Sequence, residues 1–302
     1  MEMTDKTLCK NKKKRERAAL TVRQYASQIK TSQKRNTIGV TKALLYNLDE
    51  YAGREVYVRD MTEEFVKNFT GYLLTKVKPS SVKTYMQKLH SIMEHAVELK
   101  DADKNPVSRA MNMIPRCESH PRSFLTVEEI RTMTATPCEN ENIRQAFLFA
   151  CFTGLRLSDI ETLSWSNIQT IGGTTTIVKN QIKTSHGIRI PLNREALTIL
   201  EPQRTNMPAD KVFTLPSRTM IAKVLHKWSA ASGIEKHVTF HTSRHTFATL
   251  AITAGVEIYT VSKLCGHRSV RTTEIYSHII DTTLKEGVNR ISKLLSHSTS
   301  DW

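Results

Sequence analysis

A stretch without hydrophobic periodicity, residues 105–122, divides the sequence into two parts. It contains Pro106, Pro115 and Pro121, and prolines end helices and are frequent in linkers. Apolar residues recur at helical spacing on both sides of it, and 302 residues are enough for roughly two domains. The pattern therefore predicts a two-domain chain. Its predicted parts are a flexible basic arm at 1–17, a helical domain at 18–104, a linker at 105–122 and a second domain at 123–302.

The first domain is predicted to be a compact bundle of helices. One apolar stripe ends at Gly53, and a second helix opens at Thr62, whose side chain can cap the acidic first turn Glu63-Glu64. A third pattern follows Pro79 and keeps a 3.6-residue period for about four turns. The apolar positions of these helices are Ile38, Leu44, Leu45, Leu48 and Tyr51, then Phe65, Val66, Phe69, Tyr72 and Leu73, then Val82, Tyr85, Met86, Leu89, Ile92, Met93, Ala96 and Val97.

The second domain is predicted to be mainly α-helical. Thr126 and Glu129 match a capping box at its start. An apolar helix over Ile143–Phe152 stops at Gly154, and a second capping box is predicted at Ser158–Glu161. Later helical patterns carry Ile221, Val224, Leu225 and Trp228, then Ile258, Val261 and Leu264, then Val288, Ile291, Leu294 and Leu295.

A small antiparallel β-sheet is predicted inside this second domain. Two segments rich in β-branched residues, Thr174–Val178 and Ile188–Leu192, flank a turn at Ser185-His186-Gly187. The fold class is therefore mainly α with one small antiparallel sheet in the C-terminal domain.

Positive charge is spread over the whole chain. There are 44 Lys and Arg residues against 29 Asp and Glu residues, and 22 of the basic residues precede residue 116. Both parts are therefore expected to contact a polyanion, with nucleic acid as the leading candidate, although a ribosome or a membrane surface would suit the same balance. The candidate DNA-binding residues are Lys12, Lys13, Lys14 and Arg15 in the arm and Lys78, Lys83 and Lys88 on the helix after Pro79. A solvated helix face explains the last three lysines equally well.

Membrane and secreted proteins are excluded as classes. The longest apolar run, Ala146–Phe152, is far below the ~18 residues of a membrane span. No apolar segment follows the basic N-terminus as it would in a secretory signal. The five cysteines include no CxxC pair and are odd in number, which favours a reducing cytoplasm over a disulfide framework. They are Cys9, Cys117, Cys138, Cys151 and Cys265.

Cations, histidines and one tyrosine that could act on an anion are concentrated in the second domain. Arg156 precedes the second capping box, and a guanidinium at a helix N-terminus suits a bound anion. His241 and Arg244 are three residues apart, so they share a helix face if both are helical. His267 follows another predicted helix end, and Tyr276 comes nine residues later. Each feature alone is compatible with an ordinary surface or core residue.

Taken together and in this order, these motifs resemble the tyrosine recombinase family, which includes lambda-type integrases, DNA invertases and chromosome-dimer resolvases. The motifs are GLRxSD at 154–159, HxxRHTFAT at 241–249 and GHxSxxTTxxY at 266–276. The helical bundle before them resembles the family's core-binding domain. The chain departs from the family at Thr242-Ser243, where leucine is common, and at Leu264-Cys265-Gly266-His267, where the family often has Leu-Gly-His. Neither departure replaces a reacting group.

The resemblance implies a role for each motif residue. Arg156 and Arg244 match the two arginines that grip the scissile phosphate, and Tyr276 matches the nucleophile. His241 matches the histidine that assists proton transfer, and His267 matches the later hydrogen-bond donor to the same phosphate.

The family also places a lysine on the hairpin of the sheet and an acidic residue behind the site. Lys183 is the best match for the lysine, with Lys179 as the competitor, and Asp159 resembles the acidic residue. No cofactor is expected, because these protein groups replace a metal ion around the phosphate. His241 and His245 have the spacing of zinc ligands on a helix, but no HExxH and no cysteine pair accompanies them, so no metal site is expected.

The implied function is site-specific DNA recombination. Strands would be cut through a 3′-phosphotyrosine intermediate and rejoined through a Holliday junction, by four copies of the chain on two double-stranded DNA sites. Each copy would clamp a duplex between its two domains, and the resemblance allows an accessory DNA-bending or directionality factor. The amphipathic tail beyond Asp281 is expected to pack on a neighbouring copy or on its own domain. The chain is expected in the cytoplasm, associated with the nucleoid.

Two other functions stay open on the sequence. A catalytically silent DNA-binding or architectural protein would use the same scaffold, and a type IB-like topoisomerase relaxes supercoils with similar residues. Among recombinases, the short segment before the bundle favours an invertase or a simple integrase over a large phage integrase. The sequence does not separate integration and excision from inversion or resolution. The sequence also does not identify the DNA site, because base contacts depend on the geometry of the complex.

Overall fold

The computed structural model describes residues 20–29, 35–115, 123–182, 187–203, 207, 209–267, 269 and 273. The chain divides between residues 120 and 121 into two compact units, each with its own hydrophobic core. Both units are mainly helical, and the sheet among the described residues is a small antiparallel one in the second unit. The predicted fold class is confirmed. No helix in this part of the chain is long and apolar enough to cross a membrane.

The first unit is built from five helices in its described residues. They are α1 Val22–Gln28, α2 Arg35–Ala52, α3 Glu63–Lys76, α4 Pro79–Glu98 and α5 Val107–Met111. At the start of α3 the Thr62 side chain accepts a hydrogen bond from the backbone N–H of Phe65, so the predicted cap is confirmed. The core side chains come from the predicted stripes and include Leu44, Leu48, Val66, Phe69, Leu73, Val82, Met86, Leu89 and Ile92. Ile38 is an exception: it is 41% exposed near the beginning of α2.

The start of the predicted linker is wrong. Residues up to 111 belong to the first unit, because α5 buries Val107 and Ala110 in its core. Pro106 stands immediately before α5, where a missing N–H costs nothing, so this proline begins a helix instead of ending one. The Asn105 side chain accepts a hydrogen bond from the N–H of Val107 at 3.0 Å. Residues 116–122 lie outside the described residues.

The second unit contains seven helices and three strands in its described residues. They are α6 Val127–Ala135, α7 Glu141–Thr153, α8 Leu157–Ile160, β1 Ile168–Ile171, β2 Thr174–Asn180, β3 Gly187–Pro191, α9 Arg194–Leu200, α10 Arg218–Ala231, α11 Phe240–Thr253 and α12 Ile258–Cys265. The capping box of Thr126 and Glu129 is confirmed at α6. Helix α7 runs through the core, where Phe147 and Phe149 are fully buried. Trp228 is buried and Trp165 packs partly buried against this core. The predicted last helix, around Val288–Leu295, lies outside the described residues.

The sheet has the order β1-β2-β3, with both pairs antiparallel. The predicted pairing of the two apolar segments is confirmed, with Ile177 opposite Ile190 and Lys179 opposite Ile188. Strand β1 was not predicted, because its four residues are largely exposed and carry no alternating pattern. The signal for it is the turn Gly172-Gly173, where both residues have positive φ, as in a two-residue hairpin loop.

The second predicted capping box is wrong. Helix α8 begins two residues earlier than a capping box on Ser158 requires, with Arg156 as its N-cap and no side-chain cap. The carboxylate of Glu161 instead pairs with the guanidinium of Arg218, at 3.0 Å from Nε and 2.7 Å from Nη2. The tight left-handed turn at Gly154 places the chain so that the next helix starts before Ser158 is reached.

Candidate active site

Two helices of the second unit end on glycines that leave no room for a side chain. Gly154 ends α7 with φ +68°, and a Cβ there would lie 2.5 Å from the ring of Phe247. Gly266 ends α12 with φ +60°, and a Cβ there would lie 2.5 Å from the amide nitrogen of Gln181. Glycine therefore suits both positions for two reasons: it adopts the left-handed conformation at the helix end, and it lets a neighbouring side chain lie close to the backbone.

The buried guanidinium of Arg244 joins these two helix ends. Its Nη1 donates to the carbonyl of Gly154 at 2.7 Å, and its Nη2 donates to the carbonyl of Cys265 at 2.5 Å. Carbonyls at helix C-termini carry partial negative charge, so they stabilise a cation. These contacts use two of the five N–H donors of a guanidinium, which leaves up to three for a bound anion.

Arg156 also lies at the C-terminal end of α12. Its Nη1 donates to the side-chain oxygen of Gln181 at 2.5 Å, and its Nη2 is 3.5 Å from the carbonyl of Gly266. Burial lowers the pKa of Arg156, and so does the positive charge of Arg244, while Asp159 acts in the opposite direction. Arginine stays protonated in proteins, so two cations face each other here and an anion between them would relieve their repulsion. The guanidinium contacts the C-terminal end of α12, and Arg156 itself is the N-cap of α8.

The carboxylate of Asp159 binds the backbone at the end of strand β2 and makes no described hydrogen bond to Arg156, although the backbone N–H of Asp159 donates to the Arg156 carbonyl at 2.8 Å. The carboxyl group is fully buried, and its Oδ1 accepts a hydrogen bond from the backbone N–H of Ile182 at 2.9 Å. Its Oδ2 has no hydrogen-bond partner among the described residues. The negative charge of Asp159 therefore acts on Arg156 and Lys179 through space. Its hydrogen bond to Ile182 fixes the backbone just after β2.

Gln181 is the residue of this site that sequence reasoning missed. It is buried, accepts from Arg156, and donates from Nε2 to the carbonyl of Cys265 at 3.0 Å. The signal that could have revealed it is strand alternation: Ile177, Lys179 and Gln181 fall on the same face. Ile177 is a core residue, so a polar residue two steps after Lys179 on that face needs a buried partner.

The two lysine candidates differ in what the structure describes of them. Lys183, Ser185 and His186 lie outside the described residues. Lys179 is partly buried, and its Nζ donates to the carbonyl of Thr162 at 2.6 Å. Burial lowers the pKa of Lys179, and the charge of Asp159 opposes that effect. The ammonium of Lys179 is thus tied to the backbone just after α8.

Of the three motif histidines, His241 and His267 lie at helix boundaries and His245 lies inside α11. His241 and Arg244 are both in the first turns of α11, as predicted, with His241 exposed and Arg244 buried one turn further on. The ring of His241 meets the ring of the buried His245 edge to face, with 4.6 Å between centroids. His267 follows Gly266, and its Nδ1 lies 2.8 Å from the hydroxyl of Thr273.

The remaining predicted residues belong to two groups. The nucleophile candidate Tyr276 and the arm residues Lys12, Lys13, Lys14 and Arg15 lie outside the described residues. On α4, Lys83 is exposed and Lys88 partly so, and Lys78 is exposed just before the helix. Within the described part of the chain these three lysines form no ion pair, so their charge is not neutralised there.

A comparison with family models identifies the second unit. Residues 123–282 match the model of the phage integrase family. The chain belongs to the phage integrase family. It is a site-specific recombinase of the tyrosine type, and residues 20–113 match the phage integrase SAM-like domain. That second match also reaches beyond the start of the linker expected from the prolines.

Individual relatives are distant but extend over most of the chain. A tyrosine recombinase of Pseudothermotoga lettingae is 26% identical over 236 residues, which is 76% of this chain and 80% of that protein. The Tn1549 transposon integrase in complex with transposon right end DNA superposes with a TM-score of 0.72 at 18% identity, covering 90% of this chain and all of that one. A lambda integrase tetramer bound to a Holliday junction has a TM-score of 0.64 at 19% identity, with 84% and 77% covered.

Proposed function

We propose that this recombinase cleaves DNA by transesterification at a phosphate held between Arg156 and Arg244. The observation that carries the proposal is the convergence of the two guanidiniums on one helix end, Arg156 on the Gly266 carbonyl and Arg244 on the Cys265 carbonyl. Fork-shaped donors suit the non-bridging oxygens of a phosphodiester and do not lose their proton. Their charge stabilises the negative charge that grows on those oxygens in the transition state.

Tyr276 supplies the nucleophile in this reaction. Its phenol oxygen bonds to phosphorus while the bond from phosphorus to the 5′ oxygen breaks, which leaves a 3′-phosphotyrosine. Because a phenol has a pKa near ~10, its proton must leave during attack, and His241 or a phosphate oxygen accepts it. Lys183 gives a proton to the departing 5′ oxygen, and His267 donates a hydrogen bond to the phosphate. The contact of Lys179 with the Thr162 carbonyl supports Lys183 over Lys179 for this step.

Rejoining needs no outside energy source, because the phosphotyrosine keeps the energy of the broken ester. A 5′ hydroxyl from a second DNA attacks the phosphotyrosine, so two exchanges in sequence pass through a Holliday junction. This requires four copies of the chain on two DNA sites, and the tetrameric lambda integrase on such a junction is the supporting precedent.

DNA contact extends along the chain. In the boundaries proposed, the arm at 1–17 and the SAM-like unit bind the phosphate backbone, and the second unit cuts. The exposed lysines around the start of α4 support this assignment, since no described acidic partner neutralises them. A recombinase that acts on the ends of a mobile or invertible DNA segment works at the nucleoid.

The decisive experiment is capture of the covalent complex. A duplex that contains the DNA junctions flanking the gene, nicked next to the cleavage position, loses its short fragment after cutting and traps the enzyme. We expect a protease-sensitive adduct on the 3′ end of the cut strand. A catalytically silent DNA-binding protein would give no adduct, and the proposal would then be wrong. A topoisomerase would instead relax plasmids that lack these junctions.

Deleting residues 1–17 is expected to weaken the salt dependence of DNA binding. Each basic side chain that leaves a phosphate lowers the slope of log K against log salt by ~0.9, so the seven basic residues at 6–17 give a decrease of up to about six. Cleavage at low salt should persist, because the arm carries none of the proposed reacting groups. Fluorescence anisotropy across a salt series measures the slope, and an unchanged slope would mean that the arm does not touch DNA.

A further inference from the structure

Gln181 is a neutral side chain that contacts both Arg156 and the C-terminal end of α12. Its amide oxygen accepts from Arg156 Nη1 at 2.5 Å, and its amide nitrogen donates to the carbonyl of Cys265 at 3.0 Å. That same carbonyl accepts from Arg244. An amide is suited to this position, because it has an acceptor and a donor at opposite corners of one planar group.

The amide of Gln181 is closely packed against the end of α12. The residue is 1% exposed, and its amide atoms lie 2.5 to 2.7 Å from the position that a Cβ on Gly266 would occupy. The backbone next to it is held as well, because the N–H of Ile182 donates to the buried carboxylate of Asp159 at 2.9 Å. The amide therefore cannot swing away from Arg156 without disturbing the strand end or the end of α12.

Arg156 depends on this contact for its orientation. It is only partly buried, its second contact, to the Gly266 carbonyl, is long at 3.5 Å, and the positive charge of Arg244 repels it. A flexible side chain with one short hydrogen bond takes its direction from that bond. Arg244 differs, because two backbone carbonyls at 2.7 and 2.5 Å already fix its guanidinium.

We infer that Gln181 is a positioning residue for the recombination reaction, which holds the guanidinium of Arg156 in the orientation that meets the scissile phosphate. This inference rests on the proposed function, since it assigns a cleavage role to Arg156. The described side-chain contacts of Gln181 are with Arg156 and with the end of α12. Gln181 acts through Arg156, and it makes the direction of that arginine dependent on where α12 ends.

The test is a double-substitution cycle read out as the single-turnover rate of adduct formation on the nicked duplex, with protein in excess. Gln181→Met removes the acceptor and the donor while keeping a side chain of similar length. We expect it to slow cleavage by about 10- to 100-fold, because small errors in the placement of a reacting group have effects of this size. The affinity for DNA should stay within about twofold, since binding energy comes mainly from backbone contacts elsewhere.

The second arm of the cycle places Gln181→Met in an Arg156→Lys background. An ammonium does not present a planar fork, so orientation by the amide no longer matters, and the further loss should be less than about threefold. Asn180→Ala is the matched control: its side chain is exposed one residue earlier on β2 and makes no described contact with either arginine, so cleavage should stay at the native rate.

Each result decides between distinct failures. An absent adduct with the native chain overturns the proposed function itself. Normal cleavage by Gln181→Met, or an equal loss with Arg156 and with Lys at position 156, overturns only the role of Gln181. If Gln181→Met does not fold, as judged by its melting curve, Gln181→Asn takes its place. That variant keeps the amide but is one methylene too short to span both partners, and native cleavage by a folded Gln181→Asn would equally overturn the inference.

Discussion

The chain with Tyr276→Phe is expected to bind its DNA like the native chain and to form no covalent adduct at all. The substitution removes one oxygen atom, the one that would bond to phosphorus, and keeps the aromatic ring. Binding depends on basic side chains along both units, which the substitution leaves in place. A gel shift should therefore show native affinity for DNA in this variant. Denaturing electrophoresis on the nicked duplex should show no covalent adduct.

Tyr259→Phe is the matched control for this experiment. Tyr259 is 52% exposed on α12, and its ring lies 5.1 Å from the Nζ of Lys263. It loses the same oxygen atom in the same unit and should form adduct at the native rate. An adduct that survives Tyr276→Phe would mean that another residue attacks the DNA, and the assignment of the nucleophile from its motif would have to be abandoned.

The helices of this fold were predictable wherever a long amphipathic period coincided with local capping chemistry. Helix α4 follows Pro79 and keeps its apolar spacing from Val82 to Ala96, and all six residues that define its inner face are buried. Thr62 and Thr126 cap the helices that follow them as expected. In these segments local preference and burial favour the same structure, so a single sequence contains enough information.

The errors arose where a local signal has two structural meanings. Pro106 ends one helical pattern, but it is equally suited to begin α5, and only the burial of Val107 and Ala110 decides between the two. The Ser158–Glu161 spacing fits a capping box, but α8 begins two residues earlier, after the turn at Gly154. Tertiary context overrides both local patterns, which a sequence does not display.

The motif residues of the candidate site could be picked out from the sequence, but the contacts that orient them could not. The motif order supplies Arg156 and Arg244, whereas the partners that orient them are backbone carbonyls and the amide of Gln181. Every residue has a backbone carbonyl, so the sequence does not show which carbonyls accept these hydrogen bonds. Gln181 lies 25 residues from Arg156 and 85 from Gly266 in the chain, so no local spacing connects them.

Arg244→Ala is expected to affect both cleavage and stability. Loss of a preorganised donor to a developing oxyanion typically costs ~3–4 kcal/mol of transition-state stabilisation, so cleavage should slow by about 10²- to 10³-fold. The same substitution removes the partner of the Gly154 carbonyl and one of the partners of the Cys265 carbonyl at two buried helix ends. A hydrogen bond to a charged group contributes ~1.5–3 kcal/mol, and the substitution removes two of them. The free energy of unfolding should therefore fall by about 3 kcal/mol and the melting temperature by roughly 6–12 °C.

Arg156→Ala provides the contrast that tests this reading of the site. Arg156 donates at 2.5 Å to a side chain and only at 3.5 Å to a backbone carbonyl, and it is about half buried. Its loss should slow cleavage about as much as Arg244→Ala, while the melting temperature falls by less than about 3 °C. Arg244→Lys keeps the positive charge but replaces the planar guanidinium with a single ammonium group. One ammonium does not reproduce the separate contacts to two carbonyls and a phosphate. Equal melting temperatures for Arg156→Ala and Arg244→Ala would show that Arg244 does not join the two helix ends, because only that junction makes one arginine structurally more important than the other.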